Sequence, residues 1–174
     1  MKLLKNIRQT FLTLVLLWAS VAFAQKAPTL KVGDKAPPIK VAKWLKGKPI
    51  NQLEKDHIYI LDFGFTTCTP CIAGIPHLSE LAKKYKKEVA VISVFVNEPL
   101  ESVENLMQKI GDRMHYTVAL DDMGAMDTSW VKATGSTGYP TYFLVYKGKI
   151  QSIAGDSSVL DQQIEQLLNQ GQLK

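Results

Sequence analysis

The sequence predicts an α/β sandwich built on a mixed sheet, and three observations lead to this fold class. Short, continuous apolar runs, typical of strands buried on both faces, alternate with helical segments whose apolar residues share one face. The predicted order is β-α-β-α-β-α-β-β-α, in which helices connect neighbouring strands. The last two strands flank the turn pair Lys147-Gly148 and form a hairpin, which makes the sheet mixed.

Length and charge narrow the function classes. A chain of 174 residues, 46% hydrophobic and 21% charged, is long enough for one domain with its own core. Its 21 Lys and Arg exceed its 16 Asp and Glu, but three positive residues fall in the first ten, which leaves 18 against 16 in the rest. Arg113 is the only arginine after these ten residues. We therefore expect no nucleic-acid partner, because no basic footprint for phosphate groups is present.

The N-terminus has the three-part layout of a secretory signal. Lys2, Lys5 and Arg8 precede an apolar run at 11–18, and the small-x-small triplet Ala22-Phe23-Ala24 follows it. This layout predicts a signal peptide at 1–24 and a mature protein in the periplasm, an oxidising compartment. The apolar run is shorter than the about 20 residues of a membrane-spanning helix, so an uncleaved anchor is the less favoured alternative.

Residues 25–55 are predicted to be a Lys- and Pro-rich N-terminal extension. Its alternating segment 39–41 is typical of an edge strand, and turn residues at 32–37 and 46–49 flank it. We therefore expect an edge hairpin that packs on an edge of the sheet. Seven lysines between residues 26 and 48 are interpreted as protection of this edge from aggregation, with a binding patch for an acidic partner as the alternative.

Residues 56–174 are predicted to form the α/β domain. Its first apolar run suits a central buried strand, and Pro76 falls inside the helix that follows, where it is expected to produce a kink. Gly111 ends the second helix, and Asp156 is expected to cap the last one. The strands are predicted at 58–63, 89–96, 116–120, 141–146 and 149–153, and the helices at 68–85, 99–110, 123–133 and after Asp156.

The chemistry is concentrated in Cys68-Thr69-Pro70-Cys71, at the start of a predicted helix. Cys68 lies where free backbone N–H groups and the helix dipole favour a thiolate, so it is the expected nucleophile. Cys71 lies one turn inside the helix, where we expect it to be more buried, to keep a higher pKa and to resolve a mixed disulfide. A redox role is favoured over a structural one, because closing so short a loop would remove only about 2 kcal/mol of chain entropy.

A zinc site is the other common use of this cysteine spacing, but it requires two more ligands. The three histidines, His57, His77 and His115, form no second pair in the sequence, so neither a metal nor any other cofactor is expected. His77 lies on the same predicted helix as the cysteines. We interpret it as a surface or partly buried histidine in preference to a ligand or a proton donor.

Four motifs are shared with one group of redox proteins. Residues 33–37 match its N-terminal Gly-to-Pro motif, residues 61–71 its strand-loop-CxxC-helix block, Pro76 its helix-kinking proline, and Gly138-Tyr139-Pro140-Thr141 its Gly-x-Pro-Thr element. In these motifs the chain resembles the thioredoxin superfamily, and within it the secreted TlpA/ResA-like thiol-disulfide oxidoreductases. The resemblance implies a thioredoxin-like three-layer sandwich for nearly the whole mature chain.

The resemblance also implies a client-binding surface. Pro140 should be cis and lie beside the dithiol, with the backbone of Tyr139 offering strand-like hydrogen bonds to a client, although trans is the base rate for an X-Pro bond. Thr67, Thr69 and Pro70, which flank the cysteines, are expected to contact the client as well.

Asp62 precedes Cys68 by six residues, the spacing of the buried acid in thioredoxins. Burial in an apolar strand should raise its pKa, and the carboxyl group could then exchange a proton with Cys71 through a water molecule. The alternative is an Asp at a strand end that is bonded to a neighbouring backbone N–H or paired with a lysine such as Lys55.

Two residues depart from the family pattern. Thr67 stands where the family has a tryptophan before the first cysteine, and Gly74 stands where a glutamate is often found. A peroxidase with a single reactive cysteine is disfavoured, because Phe65 occupies the place of the activating threonine.

A copper-binding assembly chaperone is the alternative function. Residues 63–68 are also similar to the block that opens the copper site of SCO-type proteins, although those have three residues between their cysteines. Such a site would use Cys68 and Cys71 with His77 or a soft methionine ligand. The methionines close enough in sequence are Met107, Met114, Met123 and Met126, of which Met107 and Met126 fit core positions.

The sequence thus predicts a periplasmic enzyme that exchanges electrons with protein disulfides or dithiols. We expect a reductase of the cytochrome c maturation or metal-site assembly type, because disulfides form in the periplasm without its help. Its expected partners are cysteine-bearing client proteins, copper proteins among the candidates, and a membrane electron donor.

Overall fold

A six-stranded sheet lies at the centre of the protein. The structure, a computed structural model, describes residues 28–172, so the predicted signal peptide at 1–24 lies outside the described residues. None of the helices within 28–172 combines the length and the hydrophobicity that a membrane span requires. The strands are β1 (Val41–Lys46), β2 (Ile58–Gly64), β3 (Val89–Phe95), β4 (Thr117–Asp121), β5 (Thr141–Tyr146) and β6 (Lys149–Ala154).

The sheet is mixed, as expected. Its strand order is β1-β4-β3-β2-β5-β6. Strand β2 pairs in parallel with β3, and β3 with β4, whereas β1, β5 and β6 each run antiparallel to their neighbours. Every residue of β2 is buried, because this strand lies in the middle of the sheet with layers on both faces.

Helices cover both faces of the sheet, which gives the thioredoxin-like sandwich. They are α1 (Thr69–Lys84), α2 (Leu100–Ile110), α3 (Ala125–Ser129) and α4 (Leu160–Gln172). One core cluster joins α1, α2 and α4 to the sheet, and a second cluster on the opposite face contains Met126 and Trp130, at and just after α3. The hydrophobic stripes read from the sequence thus point to two cores, one on each face.

Helix α3 is shorter than the predicted segment 123–133. Gly124 adopts a left-handed conformation with φ of 78° immediately before it, and Trp130 ends it. A separate turn of 3₁₀ helix follows at Lys132–Thr134. The Trp130 side chain at this end is fully buried in the second core, a tertiary contact that helical periodicity does not report.

The N-terminal segment reaches both edges of the sheet. Lys35 forms a β-bridge with Lys149 of β6, and the N–H of Gly33 donates to the carbonyl of Ile150. The chain then crosses one face of the sheet and enters β1, which pairs with β4 at the opposite edge. An edge strand is therefore present, but it spans Val41–Lys46 instead of the predicted 39–41. Its partner is β4 instead of a second strand of the extension, so the edge hairpin is not formed. The sequence lacked a signal for this long-range pairing.

Candidate active site

The two cysteines lie at the junction of β2 and α1. Cys68 is the N-cap of α1, and its Sγ accepts a hydrogen bond from the N–H of Cys71 at 3.2 Å. The first turn of α1 contains no acidic residue, so no carboxylate there opposes a negative charge on the sulfur. Pro70 occupies the first turn, where its missing N–H removes no helical hydrogen bond.

Cys68 and Cys71 form a disulfide, with their Cα atoms 5.2 Å apart. The expectation that Cys71 is the more buried of the two differs from the structure, because Cys68 is 5% and Cys71 6% exposed. In the disulfide each sulfur covers the other, so the difference in depth along the helix does not appear as a difference in exposure. Thr67, Thr69 and Pro70 are exposed around this buried pair.

Asp62 lies on β2, directly between Ser93 of β3 and Tyr142 of β5. Its Oδ2 accepts a hydrogen bond from the Ser93 hydroxyl at 2.5 Å, while Oδ1 is buried without a partner among the described residues. Burial raises the pKa of Asp62 to about 6, and the Ser93 hydrogen bond opposes this rise. The partner of the carboxylate is thus a hydroxyl, neither Lys55 nor a backbone N–H.

A small enclosed cavity connects Asp62 to the disulfide. It has a volume of about 10 Å³, and Asp62, Ser93 and Cys71 all contribute to its wall. This volume is close to that needed by one water molecule. The buried carboxyl group and the second cysteine of the pair therefore face one water-sized space.

Gly64 permits the close approach of Cys71 to β2. A Cβ atom at position 64 would lie 3.0 Å from Sγ of Cys71 and 3.1 Å from its Cβ. These contacts are tighter than most that a Cβ atom makes, so a residue larger than glycine would require Cys71 to shift by a few tenths of an ångström. The glycine that ends the predicted strand is thus a packing requirement of the redox pair.

The loop before β5 contains the expected cis peptide bond, between Tyr139 and Pro140. The Tyr139 ring packs edge-on against Phe65, with ring centroids 5.6 Å apart, and Phe65 belongs to the loop that leads into Cys68. Because the Tyr139 hydroxyl also donates a hydrogen bond to the buried carboxylate of Asp127, its side chain is held from two sides.

An open groove of about 440 Å³ runs between α1 and the cis-proline loop. Pro70 forms one wall and Pro140 the other, and Tyr142 and Ser157 also line it. The groove therefore joins the turn between the cysteines to the loop that was expected to hold a client.

Gly74 explains one departure from the family pattern. A Cβ atom at this position would lie 2.7 Å from the Tyr142 hydroxyl oxygen, so the side chain of Tyr142 fills the space that a residue at 74 would need. The glutamate often found here in the family has no room in this chain. Tyr142 and Ser157 supply the polar groups of this part of the groove instead.

Glu98 is a site residue that sequence reasoning missed. Its Oε1 accepts hydrogen bonds from both the N–H and the hydroxyl of Thr66, at 2.9 and 3.0 Å. These bonds fix the turn before Cys68 to the loop after β3. The two residues lie 32 positions apart, and no local pattern in the sequence connects them.

Most ligands considered for a copper site are engaged elsewhere. Met114 and Met126 are buried in the two cores, Met107 packs against the first core, and both ring nitrogens of His77 have hydrogen-bond partners, whereas Met123 is exposed. Within residues 28–172, the one cluster of three or more His, Cys, Asp or Glu side chains that could share a metal ion is Glu54, Asp56 and His57, and it does not include the cysteines.

Comparison with known proteins agrees with this geometry. The model of the AhpC/TSA family matches residues 32–153. The chain belongs to the AhpC/TSA family. A relative from Bacillus cereus, the thiol-disulfide oxidoreductase ResA, is 32% identical over 150 residues, which cover 84% of this chain and 82% of ResA. Protein FixW of Rhizobium leguminosarum is 28% identical over 82% of this chain and 68% of its own.

Solved structures similar to this AhpC/TSA family member are also thiol-disulfide oxidoreductases. The thiol:disulfide interchange protein DsbE from Chlorobium tepidum is 27% identical, with a TM-score of 0.61 over 78% of this chain and 96% of DsbE. The thioredoxin domain of a Bacteroides vulgatus thiol-disulfide oxidoreductase has a TM-score of 0.67 at 22% identity, over 79% of this chain and 98% of that domain, and shows the shared fold. The protein is thus a thiol-disulfide oxidoreductase.

Proposed function

We propose that the protein is a periplasmic disulfide reductase in which Cys68 attacks a client disulfide. The observation that carries this proposal is the position of Cys68 as the N-cap of α1. A thiolate there gains from the free N–H groups and from the helix dipole, so Cys68 is the better nucleophile of the pair. Its attack forms a mixed disulfide with the client, and Cys71 then attacks Cys68 to release the reduced client.

Asp62 is proposed to handle the proton of Cys71. The thiol of Cys71 must lose its proton before it can resolve the mixed disulfide, and the carboxylate of Asp62 faces it across the water-sized cavity. A pKa near 6 makes this carboxyl group a base that is ionised at neutral pH and still able to hold a proton.

The client is proposed to bind along the groove beside Pro140. The backbone of Tyr139 would hydrogen-bond an extended client segment in the manner of an added strand. Thr67, Thr69 and Pro70 are exposed around the disulfide and would contact the residues next to the client cysteine.

The direction of electron flow is proposed from the compartment. Thiols oxidise in the periplasm without the help of this protein, so a dedicated enzyme is more useful as a reductase supplied by a membrane electron donor. Candidate clients are the cysteines of apocytochrome c and of copper proteins, whose metal or haem attachment requires reduced thiols. This role matches the resemblance to TlpA/ResA-like proteins.

The reduction potential of the Cys68–Cys71 couple tests the direction. Equilibration with glutathione or dithiothreitol buffers should give a value closer to that of thioredoxin, about −270 mV, than to that of the oxidant DsbA, about −120 mV. A value near the DsbA end would reject the reductase assignment and leave an oxidase.

A trapping experiment tests the roles of the two cysteines and identifies clients. Cys71→Ser should accumulate mixed disulfides through Cys68 in the periplasm, because the resolving thiol is missing. The matched variant Cys68→Ser should trap far less. Equal trapping by both variants would contradict the assignment of Cys68 as the nucleophile.

The location is proposed from the N-terminus. The signal peptide 1–24 would be removed, which would leave the extension 25–55 in front of the thioredoxin-like domain 56–174. Cell fractionation and N-terminal sequencing should find a periplasmic protein that begins at Gln25. A protein that keeps its first 24 residues in the membrane fraction would indicate the uncleaved anchor instead.

A further inference from the structure

His77 connects the first helix to the last one and to the 3₁₀ turn that precedes it, through its two ring nitrogens. Nδ1 lies 3.0 Å from the hydroxyl oxygen of Ser157, and Nε2 lies 2.7 Å from Oδ2 of Asp161. The side chain of His77 is 28% exposed, so its outer surface still reaches solvent. An imidazole held between a carboxylate and a hydroxyl can pass a proton from solvent to that hydroxyl.

Ser157 faces the groove that we assign to the client. It lines the groove together with Pro70, Pro140 and Tyr142. The side chains of Asp161, His77 and Ser157 thus form a continuous chain of polar groups from the outer surface of α4 to the wall of the groove.

We propose that His77, acting through Ser157, supplies the proton taken up by the client sulfur that leaves when Cys68 attacks. This inference rests on the proposed reductase function. The Cys68 thiolate forms a bond to one client sulfur, the client S–S bond breaks, and its electron pair leaves on the other client sulfur. That sulfur takes the hydroxyl proton of Ser157, Ser157 takes the Nδ1 proton of the imidazolium, and water reprotonates His77.

The charges around His77 support this arrangement. The hydrogen bond from His77 is the largest cause that holds the pKa of Asp161 below its usual range, so this carboxylate stays ionised and orients the ring. The ammonium nitrogen of Lys84 lies 3.5 Å from Oδ1 of Asp161 and 3.4 Å from Oε1 of Glu165. On the groove side, Asp156 is the acidic neighbour; hydrogen bonds from Ser158 chiefly lower its pKa, and His77 makes a smaller contribution.

The relay also ties α1 to α4, so loss of stability alone would not distinguish a proton relay from a structural contact. The basicity of the leaving thiol does distinguish them. An alkyl thiolate leaves slowly and gains from a proton donor, whereas a thiolate of low pKa leaves rapidly without one. Loss of a proton relay should therefore slow the reaction with alkyl disulfides only, whereas loss of a structural contact should slow the reactions with both classes of disulfide.

The experiment measures the reaction of the reduced enzyme with two small disulfides by rapid mixing. Bis(2-hydroxyethyl) disulfide releases an alkyl thiol, and 4,4′-dithiodipyridine releases a thiol of low pKa. We expect His77→Gln and Ser157→Ala each to slow the first reaction by at least about tenfold. This is less than the full contribution of a positioned general acid, because an alkyl thiolate can also leave without being protonated. The second reaction should change by less than about twofold.

Two further variants complete the test. His57→Gln, which alters a histidine outside the groove, should react with both disulfides at the wild-type rates, and Ser157→Thr, which keeps a hydroxyl, should restore most of the alkyl-disulfide rate. Equal losses with both disulfides, or no loss with either, would overturn the relay. Wild-type enzyme that reacts with neither disulfide would overturn the proposed function itself, and the relay with it.

Discussion

The hydroxyl of Tyr139 donates a hydrogen bond to Oδ1 of Asp127, a residue with no solvent exposure. The other carboxylate oxygen, Oδ2, forms an ion pair with Lys132 at 2.7 Å and accepts a hydrogen bond from the side-chain amide of Asn97 at 3.4 Å. Because Tyr139 directly precedes Pro140, this buried carboxylate fixes the residue whose backbone we propose to bind the client. The groove is thus held in place by a charged group that no client touches.

Asp127→Asn should destabilise the oxidised protein by about 2 kcal/mol, the range for hydrogen bonds to charged groups. The amide cannot accept from Tyr139 at one atom and from Lys132 at the other. Guanidinium unfolding followed by tryptophan fluorescence measures the effect. Asp122→Asn, at an exposed position nearby, should change the free energy of unfolding by less than about 0.5 kcal/mol. Equal effects of the two substitutions would show that the buried contacts contribute little.

Gly64→Ala should destabilise the oxidised protein by about 1–3 kcal/mol, the usual cost of overpacking. The new methyl group would lie 3.0 Å from Sγ of Cys71, and the disulfide would have to move. Gly138→Ala is the matched control, since no atom lies within 4 Å of a Cβ there. Thermal unfolding of both variants compares them. Wild-type stability of the Gly64 variant would mean that α1 can shift away from β2 at little cost.

Asp62 should make the oxidised protein less stable as the pH rises from about 4 to 6. Its folded-state pKa of about 6 lies above the ordinary value of 3.8, so the folded protein holds the proton more tightly than the unfolded chain does. The contribution of Asp62 to stability is therefore greatest below pH 4, falls through this window, and stays lower above it, by up to about 3 kcal/mol.

Asp62→Asn removes this titration and provides the measurement. Denaturant unfolding of the disulfide form at pH 4 to 8 should show the variant more stable than the wild type above pH 6, with the difference shrinking towards pH 4. Asp112→Asn, at an exposed carboxylate, should leave the wild-type pH profile in place. A parallel offset of the Asp62 variant at every pH would contradict the raised pKa.

Glu98→Ala should loosen the turn before Cys68. Loss of the carboxylate leaves the N–H of Thr66 without its acceptor, and hydrogen exchange of this amide should be about tenfold faster, as expected for a charge-assisted bond of about 1.5 kcal/mol. Glu98→Gln keeps an oxygen that can accept both bonds but removes the charge, so its Thr66 amide should exchange more slowly than in the alanine variant and somewhat faster than in the wild type. Unchanged exchange in the alanine variant would show that the turn is held by other contacts.

Local signals in the sequence were sufficient for much of the fold. The central strand at Ile58–Gly64 was predictable because a strand buried on both faces is continuously apolar. The helix that begins after Cys68 was predictable from its spacing and its proline. The strand that pairs with β1 was not predictable, because a short edge strand carries no information about which distant strand it joins.

The candidate site also contains residues that local motifs predict and residues that they do not. Cys68, Cys71 and Pro140 lie in contiguous motifs and could be named in advance. The partners of His77 and of Tyr139 could not, since Ser157 and Asp127 come close to them only when separate elements pack together. From its sequence context alone His77 is a surface or partly buried histidine, and its two hydrogen bonds are visible only in the folded chain.

The segment that runs from Lys35 to β1 has a consequence for biosynthesis. Its partners, β4 and β6, are encoded between residues 117 and 154, so the leading end of the nascent polypeptide finds nothing to pair with until most of the chain has been made. Completion of the sheet is thereby postponed to the final stage of synthesis. For the exported protein proposed above, this delay would leave time for passage through a translocon before folding.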